Sequence, residues 1–209
     1  MNFKKISLLT CAACLLFTGT SRASIFVNPG FSFTMVSISD ITQTGNSVNI
    51  QIGVSGLSPA SAPSLGTYDL NLNFDPSHLS FSGAVFGDAL LGNQLDLFNF
   101  GGNLSGADLT DPGTVNFYEV SLDSVTDLND LQADRFTLAT LSFDVLNFGT
   151  SDLTLSVNAF GDAEANDLPV TTLSTSVTTV PLPSAIFMMV SGLMCLGFAG
   201  QSRKNTNGF

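Results

Sequence analysis

The sequence contains a single histidine, His78, in the turn Asp75-Pro76-Ser77-His78, and a Ser/His/Asp triad would have to use it. No Gly-x-Ser-x-Gly element is present to expose a nucleophilic serine on a sharp turn. The three cysteines, Cys11, Cys14 and Cys195, lie near the chain ends, so the central segment has no thiol nucleophile and no disulfide. One histidine without cysteine also excludes a zinc site of nitrogen and sulfur ligands. We therefore interpret His78 as a solvated turn residue.

Side chains whose oxygen atoms could bind a metal ion recur late in the chain. Asp162, Glu164 and Asn166 alternate with other residues, as ligands do at the start of a calcium-binding loop. An EF-hand would require glycine at the sixth position and glutamate at the twelfth, where the sequence has Asp167 and Leu173. The three residues are therefore candidates for a weak calcium site, and no other cofactor is predicted.

Paired carboxylates could support glycoside hydrolysis, which places two of them on either side of the scissile bond. Glu119 and Glu164 are the only glutamates, and nothing around either residue marks it as an acid or a nucleophile. The sequence therefore predicts no enzyme, and a hydrolase remains only as an alternative.

A group of aspartates follows helical spacing. They are separated by four, three and four positions, within the segment Leu122–Ala133 and just beyond it: Asp123, Asp127, Asp130 and Asp134. That spacing places them on one face of a short helix. We interpret the face as solvated, with metal or partner binding as the alternative.

The distribution of charge excludes nucleic acid as a partner. The chain has 17 Asp and Glu against 6 Lys and Arg, for a formal net charge of −11 at pH 7. All the carboxylates lie between Asp40 and Asp167, where Arg135 is the only Lys or Arg. Such a surface repels phosphate backbones and anionic lipids, and attracts divalent cations or basic partners. The same negative charge would also be explained if it only keeps the protein soluble outside the cell, where calcium is present.

The N-terminal end carries a secretory pattern. Lys4 and Lys5 precede an apolar run from Ile6 to Phe17, and Ser21-Arg22-Ala23 supplies the small residues of a cleavage site. We predict a signal peptide over residues 1–23, cleaved between Ala23 and Ser24. A lipoprotein is the alternative, although the residues before Cys11 and Cys14 match a lipobox poorly.

The C-terminal end carries a second targeting pattern. An apolar run predicts a transmembrane helix over about residues 184–200, which covers roughly 24 Å of a ~30 Å hydrocarbon core and can just span with flanking residues. The basic pair after the run would stay cytoplasmic by the positive-inside rule. The pattern consists of Val180, Pro181, Leu182, Pro183 and Ser184, then the apolar run, then Arg203 and Lys204.

This order of elements resembles the PEP-CTERM family of sorting tails, in its Val-Pro-Leu-Pro-Ala variant. The resemblance covers Val180 to Lys204, with Ser184 in place of the usual alanine. It implies recognition by a membrane exosortase and removal of the tail, in a Gram-negative bacterium that exports polysaccharide. Residues 180–209 are therefore predicted to be a sorting signal that holds the protein at the membrane before processing.

The remaining segment, residues 24–179, is long enough for one domain with its own core. Apolar and polar residues alternate strongly in Val48–Val54, Tyr68–Phe74, Ala139–Val145 and Leu153–Val157, which gives each predicted strand one dry and one wet face. The pattern predicts an all-β fold, a sandwich of about nine antiparallel strands. Weaker strands are predicted near Phe31–Ser39, Leu79–Val85, Leu95–Phe100, Thr114–Val120 and Thr171–Thr178.

The strand Tyr68-Asp69-Leu70-Asn71-Leu72-Asn73-Phe74 with the following Asp75-Pro76-Ser77 resembles the signature of cohesin domains. Leu138–Phe143 and Val48–Ile52 are similar to a later and an earlier strand of that family. The resemblance implies a nine-stranded, jelly-roll-like sandwich that binds other proteins, often dockerin modules. The family's binding surfaces vary, so the resemblance assigns no binding residue.

Together these patterns predict a non-enzymatic binding or structural module, exported to the cell surface or the extracellular polysaccharide matrix. Its partners would be an exosortase-type enzyme and an extracellular protein or polysaccharide. The alternative is a carbohydrate-binding sandwich, with calcium as a candidate aid to binding, in which Phe86, Phe98 and Phe100 would stack on sugar rings if they face solvent. The lack of Trp weakens that alternative.

Overall fold

The structure is a computed structural model that describes residues 34–101 and 103–181. The predicted sandwich is confirmed, with ten strands in that part of the chain where about nine were expected. The elements are β1 (Thr34–Thr44), β2 (Ser47–Ser55), β3 (Leu65–Asn73), β4 (Leu79–Phe86), β5 (Asn103–Asp111), β6 (Thr114–Ser121), α1 (Val125–Leu131), β7 (Arg135–Val145), β8 (Gly149–Asp162), β9 (Val170–Leu173) and β10 (Thr175–Thr179).

The strands form two five-stranded sheets that pack face to face. The first sheet has the order β4-β7-β2-β1-β9, and the second has the order β10-β8-β3-β6-β5. Neighbouring strands are antiparallel except for the pair β1 and β9, which is parallel. The chain therefore crosses between sheets repeatedly, as in a jelly roll.

The two ends of the sandwich differ in their connections. At one end, which we call the turn end, short turns join β1 to β2, β3 to β4, β5 to β6 and β7 to β8. At the other end, the loop end, lie the longer connections before β3, between β4 and β5, around α1 and before β9. The described chain enters at the loop end with Thr34. It leaves at the turn end, where the Val180 N–H donates to Gln43 Oε1 at 3.2 Å.

The core lies where the inward residues of both sheets meet. Alternating positions of β2 and β3, among them Ile50, Ile52, Leu70 and Leu72, are fully buried. The Phe143 ring packs edge-on against Phe74 at 4.9 Å and against Phe81 at 5.7 Å between centroids. Burial of each large apolar side chain contributes about 1.5–3 kcal/mol, so this period-two pattern drives the fold.

Two strand predictions were wrong in detail. Leu95–Phe100 is a series of turns within the long β4–β5 loop, and the edge strand is β5, which begins only at Asn103. The segment predicted as one strand near Thr171–Thr178 is divided at Ser174 into β9 and β10, which belong to different sheets. Leu95 and Leu97 alternate with polar residues as in a strand, although the segment forms turns. Thr171–Thr178 has few large apolar residues, so periodicity gives only a weak signal there.

The predicted acidic helix is confirmed as a short element at the loop end. Its N-cap is Ser124, whose hydroxyl accepts a hydrogen bond from the backbone N–H of Asp127 at 3.1 Å. Leu128 is the one buried residue of α1, so a single apolar anchor holds the helix to the sandwich. Its carboxylates remain on the outside, as the spacing predicts.

The predicted signal peptide, its cleavage site at Ala23 and Ser24, and the helix over 184–200 lie outside the described residues, as do Leu182, Pro183, Ser184, Arg203 and Lys204 of the sorting pattern. Val180 and Pro181 are described and follow β10 outside any helix or strand. Within 34–101 and 103–181, no helix is long and apolar enough to cross a membrane.

Candidate functional site

A carboxylate is buried near the loop end. Glu119 on β6 is fully inaccessible to solvent. Its side chain accepts hydrogen bonds from the Tyr68 hydroxyl at 2.9 Å and from the amides of Asn93 and Asn103 at 2.5 Å each. A buried carboxylate is strongly destabilising unless it is hydrogen-bonded, so these donors make the position tenable. Because Asn93 belongs to the β4–β5 loop, the network fixes that loop to the sandwich.

The Tyr68 hydroxyl acts as a permanent donor in this network. Burial raises the pKa of Tyr68 well above its usual value, and the charge of Glu119 and the hydrogen bond to it raise that pKa further. The phenol therefore stays protonated over the physiological range and donates to Glu119. No substrate can reach this carboxylate, so the pair Glu119 and Glu164 does not form a hydrolytic site: Glu164 lies exposed in the β8–β9 connection.

Two glutamines complete the attachment of the loop end. The Gln132 side chain accepts from the Leu65 N–H at 2.6 Å and donates to the carbonyl oxygens of Leu65 at 2.9 Å and Gln94 at 3.0 Å. The Gln94 side chain in turn accepts from the Ala133 N–H at 2.9 Å. Both glutamines are buried. The loop, the end of α1 and the start of β3 are thus held as one unit.

The turn with the single histidine has triad residue types in a non-catalytic arrangement. The Ser77 hydroxyl lies 3.0 Å from His78 Nδ1, and Asp75 Oδ2 lies 3.1 Å from the same nitrogen. A triad needs the serine at one ring nitrogen and the aspartate at the other. Ser77 also donates to Asp75 Oδ1 at 2.6 Å, which directs its proton away from the ring. Hydrogen bonds from Ser77, with a smaller contribution from His78, lower the pKa of Asp75.

The predicted calcium residues lie together in one turn after β8. Asp162 Oδ1 accepts from the backbone N–H groups of Glu164 and Asn166 at 2.9 Å each. Partial burial alone would raise the pKa of Asp162, but hydrogen bonds from Asn166 and Glu164 outweigh burial and lower it. Within the described residues, no three His, Cys, Asp or Glu side chains converge as a metal site. Asp162 thus closes its own turn, and calcium binding there stays a prediction.

A polar network covers the outer surface of the second sheet. On β3, β6 and β8 the inward positions are apolar and the alternate positions point outward. The Asn116 amide donates to Asp69 Oδ1 at 2.5 Å and to Asn71 Oδ1 at 2.9 Å. The Asn158 amide donates to the same two oxygens at 2.9 and 3.2 Å. We call the outer surface formed by Asp69, Asn71, Asn116, Tyr118 and Asn158 the amide face.

Tyr118 gives the amide face an aromatic edge. Its ring lies over Gly106 of the neighbouring strand β5, such that a Cβ at Gly106 would be 2.8 Å from the Tyr118 hydroxyl oxygen. The glycine thus lets the ring lie against the sheet instead of standing away from it. The result is a flat surface of fixed amides, one carboxylate and one phenol, which can hydrogen-bond a partner at little entropic cost.

The opposite outer surface, on the first sheet, is built differently. Its β2 positions are Asn49, Gln51, Gly53 and Ser55, and one cross-strand side-chain pair joins Ser142 to Asn49 at 2.8 Å. Among the outward-facing residues of this sheet in the described chain, no carboxylate accepts hydrogen bonds from several amides. This surface is polar but has no comparable network.

Sequence reasoning assigned neither the Glu119 network nor the amide face. The sequence did contain a signal for the Glu119 network, because Glu119 follows Val115 and Phe117 at the next inward position of the strand. For the second, asparagines recur at outward positions of β3, but the bonds to Asn116 and Asn158 depend on strand order. No local pattern reveals that order.

Comparison with known proteins agrees with this architecture. The profile of the cohesin domain family matches residues 33–179, and the chain belongs to that family. Cohesin domains are non-catalytic binding modules of extracellular or cell-surface scaffolding proteins. A search of curated proteins gives no match.

Several solved cohesins share the fold. The sixth cohesin of scaffoldin B from Acetivibrio cellulolyticus, solved with a Cel5 dockerin, has 19% identity and a TM-score of 0.54, over 71% of this chain and 99% of its own. The OlpA cohesin of Clostridium thermocellum, solved with a dockerin, has 11% identity and a TM-score of 0.54, over 71% and 99%. The seventh ScaB cohesin of Pseudobacteroides cellulosolvens has 14% identity and a TM-score of 0.52, over 72% and 94%.

Proposed function

We propose that the chain is an exported, non-enzymatic module that docks a protein partner on the amide face. The observation that carries the proposal is the network in which Asn116 and Asn158 both donate to Asp69 and Asn71. These side chains are already ordered, so a partner gains hydrogen bonds without having to immobilise them. Two of the similar cohesins were solved in complex with dockerins, which makes a dockerin the first protein to try.

The amide face suits a protein partner better than the outer surface of the first sheet. Asp69 uses only its Oδ1 atom in the network, and Oδ2 accepts no hydrogen bond from the described residues. An acceptor of this kind, beside the Tyr118 ring, favours a partner that presents Lys, Arg or backbone N–H groups. The acidic composition of the chain supports the same choice.

The test is capture of proteins from the envelope and extracellular fraction of the producing cell, using the exported protein as bait. The variant Asp69→Ala/Asn71→Ala/Asn158→Ala removes the amide face, and Asn49→Ala/Gln51→Ala on the first sheet is the matched control. We expect a defined protein to be retained by the wild type and the control, and its affinity for the face variant to fall by at least about tenfold. Equal retention by all three proteins would refute the proposed face.

The proposal includes export and sorting through the two terminal patterns. Residues 1–23 would be removed after Ala23, and an exosortase would recognise the tail that starts at Val180. The protein would first be held in the membrane and then reach the surface or the matrix. Intact mass of the exported protein tests both steps, since each cleavage removes a defined segment. A full-length mass, found in the cytosol, would contradict this route.

Polysaccharide binding is the second candidate, and one observation favours it. Phe98 and Phe100 are exposed and stacked, with centroids 6.0 Å apart, whereas Phe86 is partly buried against the core. Calcium held by Asp162, Glu164 and Asn166 would assist binding in this case. Calorimetry with the exported polysaccharide, with and without chelator, separates the candidates. Heat of binding that Phe100→Ser abolishes would favour the glycan.

A further inference from the structure

Large apolar side chains are concentrated on the outside of the loop end. Leu90 is 94% exposed, Phe100 86% and Leu122 70%. Exposed apolar patches on a soluble domain mark interaction sites, whereas isolated apolar residues are ordinary. We call the patch formed by Leu90, Phe98, Phe100, Leu122 and Leu131 the apolar tip.

Hydrogen bonds join the segments that carry the apolar tip. The backbone N–H of Leu97 donates to Asp123 Oδ2 at 2.8 Å, which brings the Phe98–Phe100 turn beside the segment after β6. The Gln132 amide donates to the Gln94 carbonyl, which links the α1 end with Leu131 to the same loop. These bonds bring the three segments side by side at the loop end.

The aromatic residues of the apolar tip are displayed by a fixed turn. Asp96, which is buried, accepts from the N–H groups of Phe100 at 3.0 Å and Gly101 at 2.9 Å. The same loop is fixed by Glu119 through Asn93. Rigid exposed aromatics bury much apolar area at low entropic cost, and such residues dominate the energetics of protein interfaces.

Charge around the apolar tip selects the kind of partner. Asp123, Asp127, Asp130 and Asp134 lie on or beside α1, and the nearby Arg135 is the only Lys or Arg between residues 24 and 179. A second copy of this chain would bring the same negative charges to the interface and be repelled. A segment with Lys or Arg beside apolar side chains would be attracted instead.

We infer that the apolar tip is a second docking surface, separate from the amide face, for a basic amphipathic protein segment. The apolar side of that segment packs on Phe98, Phe100 and Leu122, while its cations lie near the aspartates of α1. The chain leaves the sandwich at the turn end. The apolar tip is thus at the end opposite to Val180 and Pro181, where the predicted sorting pattern begins.

The test titrates the exported protein with a labelled 18-residue helical peptide that carries Leu on one face and Lys on the other. Fluorescence anisotropy follows binding, and a second peptide with Glu in place of Lys tests the charge. The tip variant is Leu90→Ser/Phe100→Ser. The matched control is Leu109→Ser/Phe148→Ser, which removes two exposed apolar side chains at the turn end. The face variant Asp69→Ala/Asn71→Ala/Asn158→Ala is measured in parallel.

We expect the Lys peptide to bind the wild type and the control alike, the tip variant at least about tenfold more weakly, and the face variant with a smaller loss than the tip variant. The Glu peptide should bind at least about tenfold more weakly than the Lys peptide, and Asp127→Asn/Asp130→Asn should narrow that difference. Equal binding of the Lys peptide to the tip variant and the control would overturn the inference.

Three other outcomes would also overturn it. One is a concentration-dependent dimer that the tip variant abolishes, which would make a second copy the occupant. Another is a neutral oligosaccharide that binds at Phe100 while the peptide does not. The third is peptide binding only after deletion of residues 24–32, which would make that apolar segment the cover of the tip. Loss of peptide binding in the face variant alone would mean that the peptide binds the amide face. That result would count against the inference but not against the proposed function of the amide face.

Discussion

The two ends of the sandwich each carry a hydrogen-bonded carboxylate, and the two carboxylates have opposite surroundings. At the loop end, Glu119 is inaccessible and is bonded by three side chains from three different segments. At the turn end, Asp75 is partly exposed, and its carboxylate is bonded only by its neighbours Ser77 and His78. The Asp, Ser and His at the turn end are the residue types of a catalytic triad, but here they only stabilise a local turn. Glu119 at the loop end, by contrast, holds distant parts of the chain together.

This difference shows that the loop end combines a buried stabilising network with exposed apolar residues, whereas the turn end is closed by local bonds. Short turns close one end with local bonds that follow from Asp-Pro-Ser and glycine chemistry. Long connections at the other end carry exposed apolar residues, and they need a buried polar network to keep a fixed shape. We expect substitutions at the loop end to destabilise the domain more than equivalent substitutions at the turn end.

The largest effect is expected for Glu119→Ala. It leaves the donors of Tyr68, Asn93 and Asn103 without their acceptor and opens a cavity, so the free energy of unfolding should fall by about 4 kcal/mol. Urea unfolding followed by circular dichroism measures this. Glu119→Gln keeps the shape and one oxygen acceptor, and should lose less than half as much. A loss below about 1 kcal/mol for Glu119→Ala would show that the network does not hold the loop end.

Glycine substitutions sharpen the comparison. A Cβ at Gly66 would lie 2.5 Å from the carbonyl oxygen of Asp162 and 2.8 Å from Ala163 Cα, so Gly66→Ala forces two backbone segments apart at the loop end. We expect a loss of about 3 kcal/mol. Gly45 at the turn end has φ +63° and open space around it. Gly45→Ala should therefore cost only the left-handed backbone penalty, about 1 kcal/mol.

The order of these two effects is the test, and thermal unfolding of both variants measures it. Equal destabilisation by Gly66→Ala and Gly45→Ala would contradict the close approach of β3 and the β8–β9 connection.

Tyr68→Phe removes one donor to Glu119 and should cost about 1–1.5 kcal/mol at neutral pH. It should also change the response to alkali. Because the folded pKa of Tyr68 lies above its unfolded value, its contribution to stability is complete below about pH 10 and is lost as pH rises beyond that value. Unfolding midpoints between pH 8 and 11 should thus fall less steeply for Tyr68→Phe than for the wild type. Parallel curves would contradict the burial of this hydroxyl.

Acid should produce the smallest of these effects. The pKa values of Asp75, Asp88 and Asp162 are lowered, so their stabilising contributions are present above the unfolded pKa of about 3.9 and are lost as pH falls through the folded values. Stability should be level from pH 7 to about 5 and fall below about 4. Two of these groups lie at the loop end. Asp88→Asn/Asp162→Asn should therefore reduce the acid dependence more than Asp75→Asn, and the reverse order would contradict the comparison.

The sequence predicted the core better than it predicted the surfaces. Strands such as β2 and β3 alternate so regularly that their inward residues could be named, and the acidic α1 followed from aspartate spacing. The segment β5 was missed because its sequence, NLSGADLTD, has only two large apolar residues. Gly106 faces outward and β5 lies at the exposed edge of the sheet, so this strand lacks the alternation of apolar and polar residues that usually marks one.

The candidate site could not be predicted for a different reason. Asn71, Asn116 and Asn158 are far apart in the chain and meet only because β3 lies between β6 and β8. Strand order is a property of the whole fold, and alternation in one strand does not contain it. The Ser77 and His78 pair, by contrast, was visible in the sequence, but residue types alone do not give the ring nitrogen that each partner contacts.

The most direct test of the central claim uses the side-chain amide signals of the asparagines in nuclear magnetic resonance spectra. The captured protein partner is added to the isotope-labelled exported protein. The account predicts that the signals of Asn71, Asn116 and Asn158 shift or broaden with the occupancy of the partner, while the signal of Asn49 on the opposite sheet stays in place. Movement of Asn49 with unchanged signals from the amide face would contradict the account.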